Sequence, residues 1–300
     1  MARVFMLAVL GLALFVLPAL ATPLTRSADL GLNFNQASYS DSWTGGDRGA
    51  LAWVWAANVV FEDSLSVPLN WRNTLKLSFG QTHTQSERLD ADSTQALYWQ
   101  KPKKSSDRIF AESLLRWKTG RLVDPFAAVT FESQFFDASV AEVPRYINPI
   151  LISEAAGVGR TFFKDDRGEL YSRLGFALRE NIHRDILTIE PELLETNSET
   201  DGGLDWTTDF SRTFNDKQMK YVTKLRVFQA LFNSKSDELK GQYNEDYWKT
   251  ADVAWENTFS AALTKYVQVQ LFTELLYDKE IDKRGRFREV LGLGLSYKLL

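Results

Sequence analysis

The sequence predicts an all-β fold: a transmembrane, antiparallel, up-and-down β-barrel of twelve strands that follows a cleaved signal peptide. Three observations support this prediction. Apolar and polar residues alternate along segments of about ten residues, which is the length of a tilted membrane-spanning strand. The connections between these segments are alternately long and short, as extracellular loops and periplasmic turns are. An apolar leader at the N-terminus indicates export from the cytoplasm.

The first 21 residues have the pattern of a secretory signal peptide. Arg3 precedes an apolar run over residues 4–17, which is shorter than the ~20 residues that a membrane-spanning helix needs. Ala19-Leu20-Ala21 follows at the usual distance of a cleavage site. We therefore expect a signal peptide over residues 1–21 and one outer-membrane β-barrel domain over residues 22–300, exported to the bacterial outer membrane.

The segment 288–300 shows the alternation most clearly. Leucine or tyrosine occupies every second position from 291 to 299, and glycine, serine or lysine lies between them. We interpret this segment as the closing strand, which must pair with the first strand because an unpaired sheet edge is costly in lipid. On this interpretation, Leu293→Arg places a charge in the bilayer at a cost of roughly 2–4 kcal/mol, and Gly294→Ser on the lumen face should be far milder.

Eleven earlier segments precede the closing strand. They alternate in the same way, with the sixth blurred by Gly157 and Gly159. The sequence therefore does not decide which face of the sixth segment lines the lumen and which meets lipid. Glu154 and Arg160 are assigned to neither face. Long polar connections are predicted over 82–106, 180–203 and 233–246. The predicted strands are 30–38, 50–61, 69–81, 107–117, 125–136, 150–163, 170–179, 204–212, 219–232, 247–260 and 266–277.

Composition limits the chemistry that this chain can perform. The net charge of -4 provides no basic surface for nucleic acid, and the absence of cysteine excludes disulfides and thiolate chemistry. His83 and His183 are the two histidines, and both are predicted to lie in loops, without the spacing of a zinc site or a catalytic triad. We expect no enzyme activity, no metal and no cofactor.

Acidic residues in the predicted loops are a second possible source of metal ligands. Their carboxylates could bind calcium, but no dense D-x-D-x-D-G loop is present, so a solvated surface is the preferred interpretation. The residues concerned are Asp90, Asp92, Glu195, Glu199 and Asp201.

Charged residues on the polar faces of the predicted strands are the candidate site, because these faces line the lumen of a barrel. Their sign reverses from the seventh to the tenth strand, which favours paired charges in the wall over a ring of one sign. The lumen-lining candidates are Arg72, Lys76, Glu112, Arg116, Glu132, Arg173, Arg179, Asp205, Asp209, Lys224, Arg226, Asp252, Glu256, Glu274 and Lys298.

Several short motifs resemble a family of uncharacterised bacterial outer-membrane β-barrel proteins, grouped as a domain of unknown function and frequent in Bacteroidetes and Chlorobi. The motifs are Trp43-Thr44-Gly45-Gly46, Trp71-Arg72-Asn73 with Phe79-Gly80, and Lys103-Lys104-Ser105-Ser106-Asp107-Arg108. The resemblance implies an outer-membrane barrel and supplies no catalytic residues. The final residue, Leu300, departs from the aromatic residue that often ends such barrels.

The sequence leaves three functions open. The first is a narrow, porin-like channel or transporter for a small solute, and it is favoured by the strand lengths and the polar lumen faces. The second is a structural or adhesive barrel whose extracellular loops bind a partner. The third, a lipid-modifying enzyme, depends on His83 alone. The expected partners are outer-membrane lipid and a small solute, and the expected state is a monomer that does not bind nucleic acid.

Overall fold

The computed structural model describes residues 25–39, 47–89, 95–140, 142–190, 192–216 and 218–298. The predicted signal peptide, the motif at 43–46, Asp90 and Asp92 lie outside these ranges. Twelve long strands account for most of the described chain. They are β1 (Thr25–Ala37), β2 (Ala50–Ser64), β3 (Leu69–Leu89), β4 (Lys103–Trp117), β5 (Asp124–Ser133), β6 (Ile150–Asp165), β7 (Gly168–Thr188), β8 (Leu193–Phe214), β9 (Met219–Asn233), β10 (Asp252–Ala262), β11 (Val267–Asp278) and β12 (Asp282–Lys298).

These twelve strands form a closed ring. Each strand pairs antiparallel with the next one along the chain, and β12 pairs with β1, so that the sheet returns to its start. The predicted fold class, an antiparallel barrel of twelve strands, is confirmed. A single turn of 3₁₀ helix, Tyr247–Lys249, is the helical element of the described residues. None of their helices has the length and hydropathy to cross a bilayer.

The connections define the two ends of the barrel. We call the end that carries the connections after β2, β4, β6, β8 and β10 the turn end, and the opposite end the loop end. The turn-end connections span 65–68, 118–123, 166–167, 215–218 and 263–266. At the loop end, the connections after β7 and β11 span only 189–192 and 279–281. The predicted alternation of long and short connections is therefore wrong at these two positions.

The predicted loop over 180–203 is instead a long hairpin, because β7 continues to Thr188 and β8 begins at Leu193. Likewise, β3 continues to Leu89, where it pairs with a short strand, Gln95–Trp99. Beyond the membrane both faces of a strand meet water, so the alternation that marks a strand in sequence disappears there. Hence residues predicted in loops lie in strands: His83, His183, Glu195, Glu199 and Asp201.

The two faces of the sheet differ sharply in polarity. On β12, Leu291 is 69% exposed and Leu293 is 60% exposed on the outer face, while Arg288 of the inner face pairs with Glu274 of β11. Similar exposed leucines and aromatics recur on the outer faces of β1, β6, β7 and β8. Such a continuous apolar belt on a closed barrel is the surface that lipid covers.

The sixth strand is now assigned to its faces. Ser153 of β6 lies opposite Arg179 of β7, whose side chain points inward, and Glu154 lies opposite Leu178, which is exposed on the outer surface. Side chains alternate along a strand, so Glu154 and Arg160 both lie on the outer face. Gly157 faces inward, where an added Cβ would lie 2.3 Å from the backbone oxygen of Leu174.

Gly294 does not tolerate a side chain as the sequence suggested. A Cβ built at this position would lie 2.7 Å from the backbone oxygen of Leu32 on β1 and 2.2 Å from Oδ1 of Asn33. The Leu32 oxygen belongs to the strand that closes the barrel, so it cannot move without disturbing the pairing of β1 with β12. The prediction that Gly294→Ser is far milder than Leu293→Arg did not take this contact with β1 into account.

Candidate functional site

Ion pairs cross the interior of the barrel. Lys76 Nζ on β3 lies 3.1 Å from Oε2 of Glu256 on β10, and Arg108 Nη2 on β4 lies 2.6 Å from Oε1 of the same residue. Strands β3 and β4 are not neighbours of β10 in the ring. These pairs therefore bridge the lumen and divide it into a part enclosed by β4–β10 and a part enclosed by β10–β12 and β1–β3.

A second charged group lies within the part enclosed by β4–β10. Glu112 on β4 contacts the guanidinium of Arg173 on β7 and lies 3.1 Å from Lys224 Nζ on β9. Glu112 and Arg173 are each 5% exposed. Buried ions of this kind are tolerated only when they are paired and hydrogen-bonded, because desolvation of an isolated charge is expensive.

At the turn end, two carboxylates share three cations. Glu62 on β2 and Glu169 on β7 each lie within ion-pair distance of Arg72, Arg116 and Lys164, at 2.6–3.5 Å. Strands β2 and β7 are not neighbours, so this network also crosses the interior. It ties the turn-end halves of β2, β3, β4, β6 and β7 to one another.

Aromatic rings complete the packing of the charged side chains. The guanidinium of Arg116 lies 4.8 Å from the ring centre of Tyr171, and that of Arg179 lies 3.6 Å from the ring centre of Phe228. A cation over an aromatic face gains roughly 0.5–2 kcal/mol, with the larger values at desolvated sites. The rings thus cover the faces of guanidinium groups that the carboxylates do not contact.

At the turn end, this packing closes the interior between β4 and β7. Tyr171 is 0% exposed, Leu114 2% and Arg116 3%. Side chains with so little accessible surface leave no room beside them for a column of water. Passage along the barrel axis must therefore avoid this region.

The interior beside β12, β1 and β2 has a different lining. We call it the small-residue wall and define it by residues that face inward in the register of these strands: Gly31, Ala37, Ala50, Ala52, Ala56, Gly292 and Gly294. We call the inward-facing charged residues of β3–β11 the charged wall. These small residues project little into the lumen, and Asn33 of β1, which also faces inward, lies against Gly292 and Gly294.

A chamber of about 260 Å³ opens within the charged wall toward the loop end. Its lining combines both signs of charge with a few apolar side chains. Cations come from residues such as Arg108, Arg173 and Arg226, and carboxylates from residues such as Glu132 and Glu256. A solute in this chamber meets paired charges, which favours polar molecules without imposing one sign.

The structure places the candidate residues of the charged wall together. Arg226 contacts Asp205 at 2.7 Å and Glu132 at 3.5 Å, Arg179 contacts Asp252 at 2.8 Å, and Lys224 Nζ lies 3.8 Å from Asp209. The backbone of Lys298 lies at the end of β12, opposite Asp29, and its side chain lies outside the described part of the structure. The others take part in the ion pairs given above.

Six further residues take part in the network but were not among the candidates. Arg108 and Glu169 share strand parity with the candidates Glu112 and Arg173, so alternation alone could have identified them. Glu62 follows a strand that is apolar on both faces, Lys164 follows the predicted sixth strand, Asp201 lies in the hairpin that was predicted as a loop, and Arg288 begins the predicted closing strand. The missed residues are Glu62, Arg108, Lys164, Glu169, Asp201 and Arg288.

The histidines do not form a catalytic group with these residues. His83 lies opposite Leu51 of β2, on the outer face. His183 Nε2 lies 3.3 Å from Asp185 Oδ2 near the tip of the β7–β8 hairpin. Among the described residues, no cluster of three or more histidine, aspartate or glutamate side chains has the arrangement of a metal site.

Comparison with solved structures finds several barrels at low identity. The COG4313 outer membrane channel from Pseudomonas putida F1 is 12% identical with a TM-score of 0.41, and the alignment covers 93% of this chain and 96% of that one. The translocator domain of the autotransporter NalP from Neisseria meningitidis is 11% identical with a TM-score of 0.39, covering 99% and 95%. OccK5 (OpdH) from Pseudomonas aeruginosa is 8% identical with a TM-score of 0.30, covering 92% and 98%.

The same comparison with curated proteins finds no match. A family model, in contrast, matches residues 34–138, which extend from the end of β1 to the connection after β5. This segment contains the first four residues, in chain order, of the ion pairs that cross the lumen: Glu62, Arg72, Lys76 and Arg108. The resemblance stated from the sequence motifs is thereby confirmed: residues 34–138 match the family described as "Protein of unknown function (DUF3078)".

Proposed function

We propose that this protein is a narrow outer-membrane channel for small polar solutes. The observation that carries the proposal is the division of the lumen. Lys76 and Arg108 reach across to Glu256, the interior between β4 and β7 is packed at the turn end, and the inward-facing residues on the other side of the bridge include several glycines and alanines. A barrel of twelve strands is wider than the ~8-stranded barrels that side chains fill and narrower than the 16–18-stranded porins.

The location follows from the surface chemistry. Leu293 and Leu295 on β12 and Phe34 on β1 are 58–60% exposed on the outer face, and water is an unfavourable environment for a belt of such residues. A bilayer covers the belt, and a closed β-barrel is the strand-built architecture that satisfies its backbone in lipid. Together with the predicted signal peptide, the belt supports location in the bacterial outer membrane.

The solute is polar and small, because the chamber of about 260 Å³ is lined by alternating cations and carboxylates. Opposite charges beside one another create no strong field of either sign. We therefore expect weak selectivity between small cations and anions, in contrast to a pore with a ring of like charges.

Planar-bilayer conductance of the refolded protein tests the proposal. Ala56 and Ala57 are neighbours on β2, but Ala56 lies opposite Ser78 on the inner face and Ala57 lies opposite Leu77 on the outer face. Ala56→Phe places a ring in the open part of the lumen and should reduce single-channel conductance in KCl. Ala57→Phe should leave conductance unchanged, because its ring enters lipid.

Two results would contradict the proposal. If the correctly folded protein carries no current in KCl or in any small organic electrolyte, it is a structural barrel and not a channel. If Ala56→Phe and Ala57→Phe conduct equally, the path does not pass along the small-residue wall. Heat-modifiable mobility on gels verifies that each variant has folded as a barrel.

A further inference from the structure

One carboxylate of the chamber is held more loosely than the others. Glu132 on β5 lies between two arginines, with Oε1 3.5 Å from Arg226 Nη1 and Oε2 3.6 Å from Arg108 Nη2. A hydrogen bond between a guanidinium and a carboxylate is normally about 2.7–2.9 Å long. In the described part of the chain, each of the other five carboxylates that line the chamber has a cationic partner within 3.2 Å.

The side chain of Glu132 is also the most exposed of these carboxylates. It is 31% exposed, whereas the other five are 2–12% exposed. An ion pair that is long and partly hydrated contributes little free energy, because water screens it. A solute in the chamber can therefore contact Glu132 and replace its two weak ion pairs at little cost.

The two arginines, in contrast, are held in place by other partners. Arg226 donates from Nε to Asp205 at 2.7 Å and from Nη2 to Ser153 at 2.8 Å. Arg108 donates from Nη2 to Glu256 at 2.6 Å. Both guanidinium groups therefore keep their positions when the carboxylate between them moves. They form a preorganised pair of donors, and a fixed pair of guanidinium groups suits a carboxylate ligand.

The charges around the chamber balance one another, and this balance limits the solute. Asp107 is paired with Lys104, which lies outside the chamber. The remaining lining residues include five cations and five carboxylates. A solute that carries only a carboxylate would displace Glu132 and leave it without a partner, which is unfavourable in a partly desolvated wall. A solute that also carries an ammonium group supplies that partner itself.

We propose that the chamber binds a small zwitterion of the amino-acid type between Glu132 and the two arginines. The carboxylate of the solute accepts hydrogen bonds from Arg226 Nη1 and Arg108 Nη2, and its ammonium group donates to Glu132. The chamber of about 260 Å³ equals the volume of about nine water molecules at roughly 30 Å³ each, which suits a small amino acid. This site rests on the proposed function, because it names the class of solute that the channel takes.

Equilibrium dialysis of the refolded barrel in detergent micelles tests the site with three probes. Radiolabelled L-threonine carries both charges, N-acetyl-L-threonine lacks the ammonium group, and L-threonine amide lacks the carboxylate. We expect saturable binding of L-threonine. Each of the other two probes should bind at least about tenfold more weakly, the effect of losing one charge-assisted hydrogen bond. This comparison uses the unmodified protein and needs no substitution.

Glu132→Gln tests the role of the loosely held carboxylate. Without this carboxylate the arginines have no competing anion, so N-acetyl-L-threonine should bind more tightly than it does to the unmodified protein. The ammonium group of L-threonine loses its partner, so the preference for L-threonine over N-acetyl-L-threonine should fall by at least about tenfold. Glu154→Gln, on the outer face of β6, is the matched control and should leave both affinities unchanged. Heat-modifiable mobility verifies the fold of each variant.

Equal binding of the three probes, or no saturable binding of L-threonine, would overturn the proposed site. So would a Glu132→Gln variant that keeps the preference of the unmodified protein. Conductance in KCl separates these outcomes from failure of the proposed channel, because potassium and chloride need no zwitterion site. A protein that conducts but does not bind L-threonine is a channel without this site. One that binds L-threonine with the expected preference but does not conduct has the site and is not a channel.

Discussion

The charged wall and the small-residue wall belong to the same antiparallel barrel, but their side chains fill the lumen to different extents. In the charged wall, residues such as Glu112 and Arg173 are 5% exposed and hold non-neighbouring strands together across the interior. In the small-residue wall, glycine and alanine project little into the interior. Ion pairs therefore connect strands along the whole charged side of the barrel, whereas the other side contributes Glu62 of β2 at the turn end and Arg288 of β12 to them.

The largest effect should follow from removing the carboxylate at the centre of the charged wall. Glu112→Ala leaves Arg173 and Lys224 buried without their shared partner, so the free energy of unfolding should fall by about 3–5 kcal/mol. Urea unfolding in lipid vesicles, followed by tryptophan fluorescence, measures this loss. Gln270→Ala on the inner face of β11 is the matched variant and should cost less than about 1 kcal/mol. Equal losses would show that Glu112 contributes no more to stability than an uncharged inward-facing side chain.

A charge on the outer face of the small-residue side should have the next largest effect. Leu293→Arg should lower the free energy of unfolding by roughly 2–4 kcal/mol, because position 293 points into the bilayer. The same urea titration measures it, with Leu293→Met as the control that keeps the side chain apolar. A loss below about 1 kcal/mol would mean that this side chain lies at the membrane surface.

Arg226 distinguishes a dry charged wall from a hydrated one. Arg226→Ala removes the partner that lies 2.7 Å from Asp205, so stability should fall by more than the ~0.2–1 kcal/mol of an exposed pair. The free energy of unfolding and the reversal potential of the channel are measured on the same preparation. Unchanged stability with a shift toward cation selectivity would show that water fills the charged wall.

The smallest effect is a pH dependence at the loop end. Burial, together with the nearby carboxylates of Glu199, Asp201, Asp252 and Asp278, raises the pKa of Glu280 to about 8. An acid whose pKa is raised by folding weakens the fold as it ionises, so stability should decline between about pH 4.5 and about pH 8. Glu280→Gln should flatten that decline in melting experiments. Glu190→Gln, in the connection after β7, should preserve it.

The barrel and its inward faces could be predicted because membrane strands alternate strictly between lipid and lumen. Arg173 and Glu112 were identified from that alternation. Their ion-pair partners could not be predicted, because Glu112 contacts residues of β7 and β9 across the lumen. The β7–β8 hairpin was missed beyond Arg179 because both of its faces are solvated there, so its residues do not alternate between apolar and polar.

The β7–β8 hairpin also continues at the loop end beyond its pairing with the neighbouring strands, which ends at Ile182 and Asp201. Its strands have 21 and 22 residues, and at about 3.3 Å per residue each is about 70 Å long, more than a tilted strand uses in crossing a bilayer core of about 30 Å. The excess projects from the loop end as a paired ribbon with charged residues on both faces. If the loop end faces outward, as the proposed outer-membrane location implies, an antibody or a phage that approaches the cell meets this ribbon, and its tip is a position for a surface-displayed epitope.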